Sequence, residues 1–358
     1  MEERICIGFE SARDYWRRVG RAVARDNAPL DGRPPLLVRI LFDEGRGIDL
    51  ASAPSRTRAT SVPARVRAPR VADLLVRVPE FGPRVHVCVS RQAGRHVARG
   101  SVPHLMTGSY PIGSFRMAAD VEGLMVPSPE LAFLQMARVL DDDELVVYGH
   151  ELCGYYARDN DGSGFVNCPA CTSTSAIGSY LDRLERLRKE RREGLPPGMA
   201  QARKAVGRVL DGAASPEEAV VSMVLFGRRR MGGFGLPAGR LNEVVRLSSA
   251  SARLFGLDSF VCDIGWPGRD TVFEYQGSQH KLRTRAMYDL RKGNVLGADG
   301  RRVVQMNRAM LSRQDLVEEV AKSLALGLGV RWRPPDVALR TRQLRFRNKL
   351  LADLEGEA

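Results

Sequence analysis

Between residues 263 and 280 the chain reads DIGWPGRDTVFEYQGSQH. Two carboxylates, Asp263 and Glu274, flank a Trp-Pro turn, and Gln276 and His280 follow closely. Phosphodiester hydrolysis calls for such a set. A water must become nucleophilic, and the negative charge that builds on the phosphoryl oxygens must be held. Mg²⁺ or Mn²⁺ does both, and such hard cations bind carboxylate and carbonyl oxygens. Asp263 ends one strand-like stretch, DSFVCDIGWP, and Glu274 lies on the next, TVFEYQG. A hairpin turn over residues 265 to 271 sets the two acids side by side. The carbonyl of Tyr275 is a further oxygen ligand, and Glu218, one turn into an earlier helix, is an outer acid. His280 offers a general acid or a phosphate contact, and Arg285, Arg291 and Lys292 on the following helix offer phosphate contacts.

Each of these residues also has a plainer reading. Glu218 completes Ser215-x-x-Glu218, a capping box that satisfies backbone donors where a helix starts. Asp263 can cap the Trp-Pro turn, and Glu274, between Phe273 and Tyr275, can face solvent. Arg285 and Asp289 are four apart and suit a surface ion pair. Gln276 orients water or phosphate through its amide but supplies no charge.

The elements that must position these groups can be read from 213 onward. SPEEAVVSMVLFG starts a helix, LNEVVRLSS is strand-like, the two acidic strands follow, RTRAMYDLRKGNVLGADG is a helix, RRVVQM a strand and SRQDLVEEVAKSLALGLG a helix. The order is αβββαβα. This order, with Ser215-Pro216 and Glu218, Asp263 before Trp266-Pro267, then Glu274, Gly277, His280, Asp289 and Arg291, resembles the PD-(D/E)XK nuclease superfamily. It is more closely similar to the very-short-patch-repair-like endonuclease domains found in many bacterial proteins. The resemblance covers about 213 to 334. It implies a restriction-endonuclease-like α/β domain with a mixed four-stranded sheet, and Mg²⁺- or Mn²⁺-dependent cleavage of DNA. Asp263, Glu274, Tyr275 and Glu218 would be its metal ligands, and Asp263, Glu274, Gln276 and His280 its catalytic groups. At position 276 the superfamily usually has Lys and the closer family Asp, so Gln276 is a departure. Residues 5 to 150, with RVHVCVSRQAGRHVARGSVPHL and SFRMAADVEGLMVPSPELAFLQMARVL, resemble AbiEi-type antitoxin-related proteins. No counterpart of their winged-helix segment is visible, so DNA binding does not carry over from that likeness.

Composition fits a polyanionic partner. The 358 residues carry a formal net charge of +13, which favours DNA or RNA. Aromatic residues are only 6%, too few for a single-strand stacking platform. No run of about 18 apolar residues suggests a membrane span, and the start does not read as a signal peptide. Six scattered cysteines suit a reducing cytoplasm. Two pairs, His150-x-x-Cys153 and Cys168-x-x-Cys171, have zinc-ligand spacing, although packing residues on a helix and an incidental Cys-Pro-Ala-Cys are the favoured reading. The expected organisation is an α+β domain over 1–150, a helical basic connector over 151–212, the nuclease-like domain over 213–334 and a charged tail over 335–358. Residues 44 to 70, with six arginines, read as a loop. Two functions compete: a metal-dependent DNA endonuclease in defence, toxin-antitoxin biology or repair, and a non-catalytic DNA-binding regulator on a degenerate nuclease fold. A zinc-stabilised interaction module is a third. A protein partner is not readable.

Overall fold

The computed structural model describes residues 4–26, 62–95, 98–118, 121–159, 164–277 and 283–355. The expected loop up to residue 61 and His280 lie outside them. Helix and strand are mixed throughout. The chain divides into two units at Val209–Leu210.

The first unit begins with β1 (Ile5–Cys6), α1 (Phe9–Asp26), α2 (Ala68–Arg77), β2 (Val85–Val89) and β3 (Ser101–Leu105). It continues through β4 (Phe115–Met117), β5 (Leu124–Pro127), α3 (Pro129–Met136), α4 (Asp142–Cys153), β6 (Tyr156–Arg158) and β7 (Phe165–Asn167). Helices α5 (Thr174–Glu190) and α6 (Met199–Val206) complete it. β5 lies between β1 and β4, β2 pairs in parallel with β3, and β6 pairs with β7. The core joins Tyr15 and Trp16 of α1 to Val71 and Leu74 of α2, Val85 and Val87 of β2 and Leu124 and Val126 of β5. Helix starts follow their local chemistry. Ser128 Oγ accepts from Leu131 N ahead of Pro129, and Asp141 with Glu144 forms a full capping box for α4.

Two expectations about organisation are corrected here. The stretch 151–212 is not a separate connector, because Ile177, Leu181, Leu184, Ala202 and Ala205 bury a continuous apolar stripe that belongs to the first unit. Much of its positive charge is also neutralised locally. Arg203 pairs with Asp182 and Glu185, Lys204 with Asp142, Arg208 with Asp143, and Arg188 is buried beside Glu193. The stretch after 335 is likewise no loose tail.

The second unit runs α7 (Pro216–Phe226), β8 (Arg240–Arg246), α8 (Ser249–Phe255), β9 (Ser259–Gly265), β10 (Thr271–Gln276), α9 (Arg283–Ala298) and β11 (Arg302–Asn307). A short α10 (Arg308–Leu311), α11 (Gln314–Gly327) and α12 (Val337–Glu355) follow. The sheet order is β11-β10-β9-β8, with β11 parallel to β10 and the other pairs antiparallel. The expected element order is present with three helices added, α8, α10 and α12. Val295 and Leu296 of α9 pack on Phe260, Cys262 and Val272 of the sheet.

Helix α12 is anchored by buried polar groups. Gln343 Nε2 donates to the Gly233 carbonyl, and Arg347 Nη1 donates to Gln314 Oε1 at 2.6 Å. Gly232 has φ of 99°, and a Cβ there would stand 2.6 Å from Phe346 Cβ, so only glycine lets the helix approach this closely.

Candidate active site

The site forms where regular pairing in the sheet breaks down. β9 and β10 pair Val272 with Gly265 and Phe273 with Ile264. One step further, Glu274 comes opposite Asp263. There a side chain replaces the ladder: Asp263 Oδ2 accepts a hydrogen bond from Tyr275 N at 2.6 Å. On the other side, β8 pairs Leu241 with Ile264 and Glu243 with Cys262, and the intervening Asn242 has φ of 49°. Asparagine is among the few residues that tolerate this left-handed conformation. The kink lets Asn242 Nδ2 donate to the Gly212 carbonyl at 2.7 Å and to Glu218 Oε2 at 2.9 Å.

Glu218 serves the helix start as expected, although its carboxylate reaches Ala214 N rather than the Ser215 N of a full capping box. Ser215 Oγ accepts from Glu218 N, and Glu218 Oε2 accepts from Ala214 N at 2.8 Å. Its carboxyl is also buried close to Asp263. Burial, then the negative charge of Asp263, pushes it up to about 8. Glu274 is 9% exposed and is likewise pushed up, to about 7, by burial and then Asp263. Asp263 therefore acts on both glutamates.

Lys292 of α9 is the group whose position the sequence did not disclose. Its Nζ donates to Glu274 Oε2 at 2.6 Å, and it is only 7% exposed. Burial works against its charge, but Glu274, Cys262 and Asp263 outweigh that and hold it above the ordinary lysine value. Lys292 thus points into the sheet, drawn there by a buried carboxylate. Of the other expected contacts, Arg291 is exposed and donates to the Phe255 carbonyl at 3.2 Å, and Arg285 has no described side chain. Gln276 is half-buried at the end of β10, opposite Asn307 of β11.

The acids are coupled but not clustered. Among the described residues, the only three His, Cys, Asp or Glu side chains with ligand atoms all within 4.8 Å of one another lie elsewhere, in the first unit. Glu218, Asp263 and Glu274 each accept from a protein donor, Ala214 N, Tyr275 N and Lys292 Nζ in turn. A divalent cation fits this set on two observations. Glu274 Oε1 is buried without a nitrogen or oxygen donor, with only the weak Cys262 thiol beside the carboxylate. Asp263 also raises both Glu218 and Glu274, as a charge shared between neighbouring acids does.

The second expected metal set does not form. His150 is fully buried and its Nδ1 lies 2.9 Å from the Val146 carbonyl one turn back along α4. Cys153 is buried in that helix, Cys168 is buried, and Cys171 packs on the core of the first unit. The spacing matched a zinc site, but the apolar interior claimed these side chains. No family model, curated protein or solved structure matches the chain. No helix among the described residues is long and apolar enough to cross a membrane.

The raised carboxyls give a pH test. A group whose folded value is raised stabilises the fold fully below its unfolded value and loses that contribution as pH rises through the folded value. With EDTA present, the melting temperature of the second unit should therefore fall from about pH 4.5, the ordinary carboxylate value, to about pH 8, levelling off once Glu274 and then Glu218 have ionised in the fold. Mg²⁺ or Mn²⁺ should flatten that decline, because the cation favours the ionised forms. Calorimetry with and without the ion reads it directly. Parallel pH profiles in the two conditions would mean that these acids hold no cation.

Proposed function

We propose that the second unit is a metal-dependent endonuclease of the PD-(D/E)XK type that hydrolyses DNA phosphodiester bonds. The observation that carries this reading is the 2.6 Å contact of Lys292 Nζ with Glu274 beside Asp263. It supplies, from a helix, the positive charge that Gln276 withholds. Asp263, Glu274 and the Tyr275 carbonyl would hold the cation, with Glu218 behind them. When bound, the ion supplies Lewis acidity toward the phosphate and a more acidic water. The chain's own residues do the rest. Lys292 puts a fixed ammonium beside Glu274, where it can stabilise a hydroxide or a developing phosphoryl charge. Asn242 and Ser215 keep Glu218 oriented. Exposed Arg230, Arg240, Arg253, Arg269 and Arg291 favour a polyanion over other substrates.

The test is cleavage of supercoiled plasmid with Mg²⁺ or Mn²⁺. Native protein should nick it, and Glu274→Ala should not. The alternative, a DNA-binding regulator, has one supporting observation: every acid of the site already has a protein donor. Salt-sensitive DNA binding with equal, background cleavage by both proteins would establish that alternative.

A further inference from the structure

The first unit brings together three side chains that are far apart in sequence. Glu10 lies in the first turn of α1, His86 on β2 and His104 on β3. The parallel register pairs Cys88 with His104, so the two histidines sit diagonally on adjacent strands. His104 Nε2 is 3.1 Å from His86 Nδ1, and Glu10 Oε2 is 2.6 Å from the same nitrogen.

That nitrogen can make one hydrogen bond, not two. If its N–H points to Glu10, the His104 nitrogen is left out; if it points to His104, the carboxylate is. If its lone pair faces a His104 N–H, a carboxylate oxygen stands 2.6 Å from that lone pair. The arrangement reflects this conflict: Glu10 Oε2 is buried and no donor is aligned on it. The ligand atoms of Glu10, His86 and His104 all lie within 4.8 Å of one another. Three electron-pair donors converge on a point with too few protons to go round. A cation resolves that directly. Around tetrahedral zinc, with ligand bonds of about 2.0–2.2 Å, donor atoms stand roughly 3.3 Å apart. The two imidazoles are already near that spacing, and Glu10 need only withdraw by less than about 1 Å.

The surroundings look built to hold these groups. Phe9 has φ of 54°, a costly conformation for a bulky residue. The strained turn is fixed by Phe9 N donating to Gln135 Oε1 at 3.0 Å, and it aims Glu10 at the histidines. Phe9 also stacks on His104 at 3.7 Å between ring centres, and Ser11 Oγ accepts from His86 N. Strain of this kind persists where the neighbouring structure enforces it, often at functional sites.

We propose that Glu10, His86 and His104 form a binding site for a divalent transition metal, with zinc the best fit to two imidazoles and one carboxylate. The side chains of His86 and Glu10 are 21% and 28% exposed, so a fourth position is open to water or to an anionic oxygen. Arg95 and Arg138 place positive charge beside His104 and favour the anion. The site is independent of the nuclease reading of the second unit.

Metal-stripped full-length protein titrated with Zn²⁺, and separately with Co²⁺ followed by its visible absorption, tests it. One Zn²⁺ per chain is expected in this site. Binding should be lost in His86→Ala and in His104→Ala, weakened at least tenfold in Glu10→Gln, and unchanged in Cys168→Ser. Should a histidine variant fail to fold, native protein still decides: Zn²⁺ should protect His86 and His104, but not the other histidines, from diethyl pyrocarbonate. No zinc uptake, or uptake that leaves both histidines reactive, overturns the proposal. So does binding that survives both histidine substitutions.

Discussion

Lys292→Ala is expected to lower Mg²⁺-dependent plasmid cleavage by a hundredfold or more. A fixed positive group at developing phosphoryl charge is commonly worth about that factor, roughly 3 kcal/mol of barrier. The effect has two sources here. The ammonium that faces Glu274 at 2.6 Å disappears, and Glu274, already raised toward neutrality, loses the group that favours its ionised form. A merely structural lysine would also lower the melting temperature, so a second variant is needed. Gln276→Lys in the Lys292→Ala background should restore at least tenfold of the lost rate, because position 276 lies two residues beyond Glu274 on the same strand. Rescue of cleavage without rescue of stability marks the charge as the functional element. Retention of near-native cleavage by Lys292→Ala, with Glu274→Ala inactive, would remove Lys292 from the chemistry.

The second large effect concerns stability. Arg17→Ala should destabilise the first unit by about 3–5 kcal/mol. Arg17 Nε and Nη2 donate to the two oxygens of Glu151 at 2.8 and 2.7 Å, and Glu151 is 5% exposed. Removing the guanidinium strands a buried carboxylate to which Arg158 N still donates at 3.2 Å. Burial favours the neutral form of Glu151, but Arg17 and Arg158 outweigh it and hold the carboxyl below its ordinary value. Its contribution is therefore present above the ordinary carboxylate range and fades as pH falls through the lowered value. The penalty should be greatest near neutral pH and shrink in acid. Urea unfolding followed through Trp16, in a Trp266→Phe, Trp332→Phe background, isolates this unit. Pairing Arg17→Met with Glu151→Leu should recover most of the loss, since an apolar pair of similar size often equals a buried ion pair. A cost under about 1 kcal/mol for Arg17→Ala alone would show the pair to be hydrated in solution.

Local chemistry was legible in the sequence. Ser128-Pro129 and Ser215-Pro216 start helices, as their capping chemistry requires, and the unit boundary falls near the expected residue 212. The two acidic strands pair as their turn demands. What escaped was long-range. Nothing around Lys292 tells that a helix crossing will turn it onto a carboxylate eighteen residues away. Asn242 did leave a signal, being a poor strand former inside LNEVVR, and its left-handed backbone is the reason. Glu10, His86 and His104 left none, because three elements must fold before they meet. The His150 and Cys168 pairs show the converse: regular spacing on the chain, and side chains committed to packing.

The docking of α12 on Gly232, Gly233 and Gln314 ties residues near 345 to the segment that follows α7, the helix bearing Glu218. Domains fold as units while the chain is synthesised. A ribosome that has passed Glu274 and Lys292 has made every acid of the site and its lysine, yet the helix that buttresses their scaffold is still missing. Translation thus acts as a timer. A product broken off before Gln343 and Arg347 is expected to expose the α12-docking residues and to be cut readily by proteases.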